Sequence, residues 1–181
     1  MKYYTKSIAL FFFLNLCVVS VLSFDGDELV KKRSGDIGIG AGIDYGGFGI
    51  QLNQFFGPVC LVGGYGYNQV YFLPFGGVKY YFQPIVNKIN LEPYIKVIYG
   101  YNAVIIIKNG PKDFYCGFTP GIGTDIRFGK KKSYGLNFDL NFPIRTKKYK
   151  RDYDNYKITY SNFNQTTLPI AISIGIQISL D

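Results

Sequence analysis

Three aspartates, Asp44, Asp125 and Asp139, stand inside alternating apolar segments, where a carboxylate could serve as acid or base on a bound substrate. Lys79, Lys96 and Arg127 fall on the same phase of their own segments. Three charges of each sign would therefore meet in one confined space. Mutual neutralisation is the simpler role for them, because an unpaired buried charge is very costly. Histidine is absent from the 181 residues, which removes Ser-His and Cys-His nucleophilic couples and imidazole metal ligands. Gly38, Gly40 and Gly42 are spaced by two, lack a third glycine at the dinucleotide-binding offset and open no helix, so they make no nucleotide site. The sequence thus points to no catalytic residue, no metal and no cofactor, and to a protein that is not an enzyme.

A second group of residues could bind anions. Arg145, Lys147, Lys148, Lys150, Arg151 and Lys157 outnumber Asp152 and Asp154, and Tyr149, Tyr153, Tyr156, Tyr160 and Phe163 are interleaved among them. Cations with aromatics suit phosphates or an extracellular polyanion; a solvated loop whose charges oppose aggregation is the equally simple reading. Asn164-Gln-Thr166 matches a glycosylation acceptor and is read as chance.

These side chains need elements to hold them, and the N-terminus says where those elements reside. Lys2 and Lys6 precede an apolar run from Ile8 to Val21 broken only by Asn15 and Ser20, the n-region and h-region of a secretory signal. Cleavage after Ser23 places Val21 and Ser23 at minus three and minus one. Residues 1–23 are accordingly a leader, 24–35 a lead-in and 36–181 one domain. The run is shorter than the ~20 residues of a spanning helix. Removing Lys2 and Lys6 leaves eighteen bases against twelve acids, a charge of +6, which after export suits a membrane surface better than nucleic acid.

From Asp36 onward the chain alternates large apolar with small or polar residues, the period of a strand whose faces meet different surroundings. Ile37, Ile39, Ala41, Ile43 and Tyr45 oppose Gly38, Gly40, Gly42 and Asp44, and Gly46-Gly47 reads as a tight hairpin into Phe48, Ile50 and Leu52. Further strands run through Val59–Tyr67, Val78–Phe82, Ile95–Tyr101, Phe118–Phe128, Leu136–Phe142 and Ile170–Leu180, with Pro120 the one residue ill suited to a ladder. The last strand sets six apolar residues in strict alternation, and no helix is read after the leader. The connection from Pro143 to Thr167 is the longest.

The non-apolar face is mostly Gly, Asn, Ser, Ala and Gln. Such residues fit the interior of an eight-stranded barrel, whereas a soluble barrel covers its exterior with long charged side chains. The apolar face is therefore expected to point outward, into lipid, where a closed barrel satisfies every backbone amide. Phe55-Phe56, Tyr80–Phe82, Phe114-Tyr115 and Phe128 with Tyr134 would form aromatic girdles. A soluble calyx holding an apolar ligand and a small diffusion pore remain the alternatives.

Gly38-Ile-Gly-Ala-Gly-Ile-Asp-Tyr-Gly-Gly47, Gly76-Gly-Val-Lys-Tyr-Tyr-Phe82 and the terminal Gly175-Ile-Gln-Ile-Ser-Leu180 resemble the small outer-membrane β-barrel proteins, porin-like relatives of the OmpA transmembrane domain. The chain departs from that pattern in ending on Leu180-Asp181 instead of an aromatic residue. The resemblance implies an all-β, antiparallel, up-and-down, eight-stranded transmembrane barrel in the bacterial outer membrane. With small residues filling the lumen, a structural or surface-interaction role in contact with outer-membrane lipid is expected, and the basic loop with its aromatics would suit lipopolysaccharide phosphates. In that topology Cys60 lies near the inner rim facing the lumen and Cys116 near the outer rim facing lipid, which predicts two free thiols.

Overall fold

The computed structural model describes residues 33–82, 84–86, 90–107, 110–129, 132–160 and 168–180. The leader, most of the lead-in, Phe163 and the Asn164 acceptor lie outside them. The described elements are strands β1 (Gly35–Gly42), β2 (Gly47–Phe56), β3 (Val59–Tyr67), β4 (Phe72–Tyr81), β5 (Ile85–Val86), β6 (Asn90–Ile106), β7 (Lys112–Phe128), β8 (Tyr134–Asn141) and β9 (Ala171–Ser179), and one α-helix, α1 (Lys147–Thr159). Neighbours follow the order β4-β3-β2-β1-β9-β8-β7-β6, and β6 pairs back with β4. The result is a closed, antiparallel, up-and-down barrel of eight strands. β5 is a two-residue clip on β6, with Ile85 opposite Leu91, inside the connection from β4.

Alternation fixes the register, because a one-residue slip would turn every apolar side chain inward. Across the seam between β1 and β9, Ile37 lies opposite Ile178 and Ile39 opposite Ile176, while Gly38 faces Gln177 and Gly40 faces Gly175. The apolar set points out: Ile37, Ile50, Val97, Ile122 and Ile174 are all exposed, and Ile172 is 73% exposed. The other set points in, where Asp36, Gln51, Lys96, Asp125, Asn137 and Gln177 are buried. Ten residues of β2 at ~3.3 Å each, tilted ~40°, cover ~25 Å of height.

Several expectations need correction. β1 ends at Gly42, and the reversal is the segment Ile43–Gly46 between paired Gly42 and Gly47, not a two-glycine turn. Ile43, Asp44 and Tyr45 form a 3₁₀ turn and are all buried, so Ile43 and Tyr45 do not share the outward face of the strand. Gly46 (φ 62°) and Gly47 (φ 106°) supply the left-handed backbone that brings the turn back. β6 and β7 are seventeen residues each, longer than the segments read from alternation. They continue past a bulge between Tyr101 and Ala103 as a projecting hairpin. Pro120 fits because it lies one residue beyond the last ladder pair to β8, Gly121 with Asn141.

The long connection holds a thirteen-residue helix where none was expected. Of the proposed girdle, Tyr80, Phe82, Phe128 and Tyr134 are exposed, whereas Tyr81 and Tyr115 are buried. Tyr81 turns into the lumen, and Tyr115 packs against Tyr149 with ring centroids 5.1 Å apart.

Candidate functional site: the lumen network and the outer rim

The inward face is filled from two directions. From the wall, Phe75 of β4 and Tyr94 of β6 are buried in the lumen. From the β1–β2 turn, the Tyr45 ring folds down and its hydroxyl donates to Asn137 Oδ1 on β8 at 3.2 Å. A Cβ at Gly40 or Gly175 would collide with that ring, and a Cβ at Gly123 with the Tyr94 ring. These three inward glycines are thus the seats of inward aromatics, a steric role.

All six charges named from the sequence, Asp44, Lys79, Lys96, Asp125, Arg127 and Asp139, are buried inside the barrel. They divide into two layers. In the layer toward the β1–β2 turn, Lys96 of β6 forms ion pairs with Asp44 on the turn and Asp139 on β8. Asn141 donates to Asp44 Oδ2 at 2.8 Å and Tyr94 to Asp139 Oδ1 at 2.7 Å. In the layer toward the start of β1 and the end of β9, Arg127 pairs with Asp36 and with Asp125 at 3.1 Å, and it donates to Gln177 Oε1 at 3.0 Å. Arg33, just ahead of β1, reaches Glu92 at 2.9 Å and Asp36 at 3.5 Å. Tyr81 donates to Asp125 Oδ2 at 2.9 Å. Asn137 joins the layers, donating to Asp125 Oδ1 at 3.2 Å and to the Tyr94 hydroxyl.

Sequence reasoning missed Asp36, Glu92 and Arg33. The first two were within reach, since Asp36 shares its phase with Gly38 and Gly40, and Glu92 with Tyr94 and Lys96. Arg33 precedes the first alternating residue and carried no such signal. With them the lumen set becomes Asp36, Asp44, Glu92, Asp125 and Asp139 against Arg33, Lys79, Lys96 and Arg127. Lys79 joins none of these ion pairs; its ammonium lies 4.7 Å from the centre of the Tyr94 ring. Among the described residues no group of three or more His, Cys, Asp or Glu side chains could hold a metal.

The outer basic residues separate as well. Thr146 caps α1, its hydroxyl accepting from the Tyr149 amide at 3.3 Å. Tyr149, Tyr153, Tyr156 and Tyr160 fall on one side of the helix and pack against Ala103, Ile105, Ile107 and Tyr115 of the projecting hairpin. Two hydrogen bonds fix the seat, Tyr156 to Asp113 at 2.5 Å and Tyr115 to Asp152 at 3.1 Å. Lys147, Lys148, Lys150, Arg151 and Lys157 are left exposed. Arg145 is different: half-buried, it donates to Asn102 Oδ1 at 3.0 Å and approaches the Leu168 carbonyl at 3.5 Å.

No protein-family model matches the chain, and no curated protein matches it. Among solved structures, the N-terminal β-barrel domain of Pseudomonas aeruginosa OprF aligns at 11% identity and a TM-score of 0.46, over 81% of this chain and 96% of that domain. Neisserial surface protein A (NspA) aligns at 12% identity and a TM-score of 0.40, over 81% of this chain and 94% of the other. Neither likeness is close enough to transfer a function.

Proposed function

We propose that the chain is a non-enzymatic outer-membrane β-barrel protein, exported by its leader, with a filled lumen and a working surface at its outer rim. One observation carries this reading: the closed barrel is inside out relative to a soluble protein. Its exterior is a continuous band of exposed Ile, Leu, Val and Phe, and its interior holds ion pairs and amides. Soluble monomers rarely expose apolar patches beyond a few hundred Å², while a bilayer needs such a band ~25 Å tall. A soluble calyx would require the opposite arrangement of faces. β1 begins and β9 ends on the side of the short Gly57-Pro58 turn, and the projecting hairpin and α1 lie on the other, in keeping with short inner turns and long outer loops. Tyr45, Tyr94 and the two ion-pair layers support a closed lumen. The exposed cations of α1 support contact with surface polyanions, lipopolysaccharide phosphates among them.

The protein refolded into detergent is expected to migrate differently on a denaturing gel before and after boiling, and the native protein to fractionate with outer membranes. Recovery as a monodisperse soluble protein without detergent would overturn the reading. In planar bilayers the filled lumen predicts no stable conductance steps, and large regular steps would instead establish a diffusion pore.

A further inference from the structure

Beyond Asn141 and Ala171, their last ladder pair, β8 and β9 part to enter and leave the segment that carries α1. The slot between the departing chains has a volume of about 370 Å³ and is lined by Pro143, Ile144, Arg145, Lys150, Leu168 and Pro169. Its walls are of two kinds. Ile144 and Leu168 are 60% and 66% exposed, and they prolong the outward apolar rows of the two strands, Leu140 and Phe142 on one side and Ile172 and Ile170 on the other. Across the top stand two cations. Lys150 is exposed on the first turns of α1, and Arg145 is fixed from behind by Asn102. The Arg145 Nε is buried and makes no hydrogen bond among the described residues. The positive end of the α1 dipole begins at Lys147, beside the same slot.

A phosphate alone would be met by the cations but would gain nothing from the apolar strip, and an uncharged chain would gain nothing from the cations. A molecule that carries an anionic head directly above an acyl chain satisfies both. The strip is continuous with the lipid-facing band, so such a molecule reaches the slot from the bilayer without leaving it. We propose that the slot is a binding site for a phosphate-bearing acyl lipid of the surrounding leaflet, with the phosphate held by Arg145 and Lys150 and a chain lying over Ile144 and Leu168. The proposal rests on the membrane reading above, and assigns to one slot a selectivity that the general basic surface of α1 does not provide.

The test uses the full-length protein refolded in detergent micelles, with heat-modifiable migration confirming the barrel in every variant. Native mass spectrometry titrates a diacyl phosphatidylglycerol, a diacyl phosphatidylcholine of the same chains, and inorganic phosphate. The expected result is binding of the anionic lipid about tenfold tighter than the zwitterionic one, without displacement by millimolar phosphate. The preference should fall to about twofold in Lys150→Gln and vanish in Arg145→Gln with Lys150→Gln, while Lys147→Gln with Arg151→Gln retains it. Leu168→Ser should weaken both lipids and leave the preference. Equal affinity for the two lipids, displacement by phosphate, or loss of the preference in Lys147→Gln with Arg151→Gln instead would overturn the proposal. Failure of this kind in a protein that still migrates as a folded barrel leaves the outer-membrane reading standing.

Discussion

Lys96 is the residue on which the outer half of the lumen depends. Its ammonium stands between two carboxylates on different elements, Asp44 on the β1–β2 turn and Asp139 on β8, so one side chain ties an inserted turn to the far wall. Removing a single member of a buried set leaves its partners' charges uncompensated, at about 3–5 kcal/mol, whereas removing all members together is often close to neutral. Lys96→Met is therefore expected to lower barrel stability by roughly that amount, and the further changes Asp44→Asn and Asp139→Asn in the same chain to restore most of it. Urea unfolding of protein reconstituted in vesicles measures both. A Lys96→Met barrel as stable as the unaltered one would mean that water already neutralises the site. Asp36 was legible, since one residue into β1 it obeys the same parity as Gly38 and Gly40, whereas Arg33, ahead of the alternation, was not. Lys79 shows the opposite limit, since parity assigns it to the inward face, where it is buried, but does not say that its ammonium lies over the Tyr94 ring.

At the scale of elements, β9 and α1 mark the two ends of legibility. Six apolar residues at a period of two have one physical reading, a strand whose two faces meet different surroundings, and its ladders with β1 and β8 agree with it. In α1 the spacing of Tyr149, Tyr153, Tyr156 and Tyr160 is helical and Thr146 is a good cap, but the stripe is aromatic in a segment dense with charge. The surface it covers, Ala103, Ile105 and Ile107, belongs to a hairpin that alternation alone did not extend beyond the barrel. The hydrogen bond to Asp113, followed by burial and the negative charges of Asp113 and Asp152, pushes the Tyr156 phenol from its ordinary 10.0 up to about 12. Tyr115 is likewise raised, by burial first and then by its bond to Asp152. A phenol raised on docking is held neutral by the docked state, so its contribution is intact below pH 10 and is lost as pH climbs from 10 to about 12. Near-ultraviolet circular dichroism of the tyrosine cluster is expected to collapse over that window while the barrel stays folded. Asp113→Asn should move the onset to lower pH. A spectrum that fades below pH 9, or an onset unmoved by Asp113→Asn, would show that this bond does not hold the helix.

The whole molecule is organised by one parity carried around eight strands, and the two thiols report whether that parity and the strand order are both right. Cys60 lies two residues after Pro58, opposite Phe55 and Lys79, on the side of the barrel where β1 begins and β9 ends, and it is buried. Cys116 lies opposite Tyr101 toward the projecting hairpin, half-buried and in step with outward Phe118. Both are free. They differ in face and in height, and the height alone, a large share of the ~25 Å apolar band, exceeds the ~7 Å between Cα atoms that a disulfide tolerates. Folded protein in micelles is therefore expected to take up an apolar maleimide at Cys116 and not at Cys60, whose thiol is enclosed among Val62, Phe75, Tyr81 and Tyr94. After unfolding without reductant both should react, and peptide mass mapping distinguishes the sites. Labelling of Cys60 before Cys116 would put the wrong face toward lipid on β3. A peptide linked through both cysteines would break the strand order itself, because no closed barrel with this register brings the end of β3 near the Gly57-Pro58 turn against the outer part of β7.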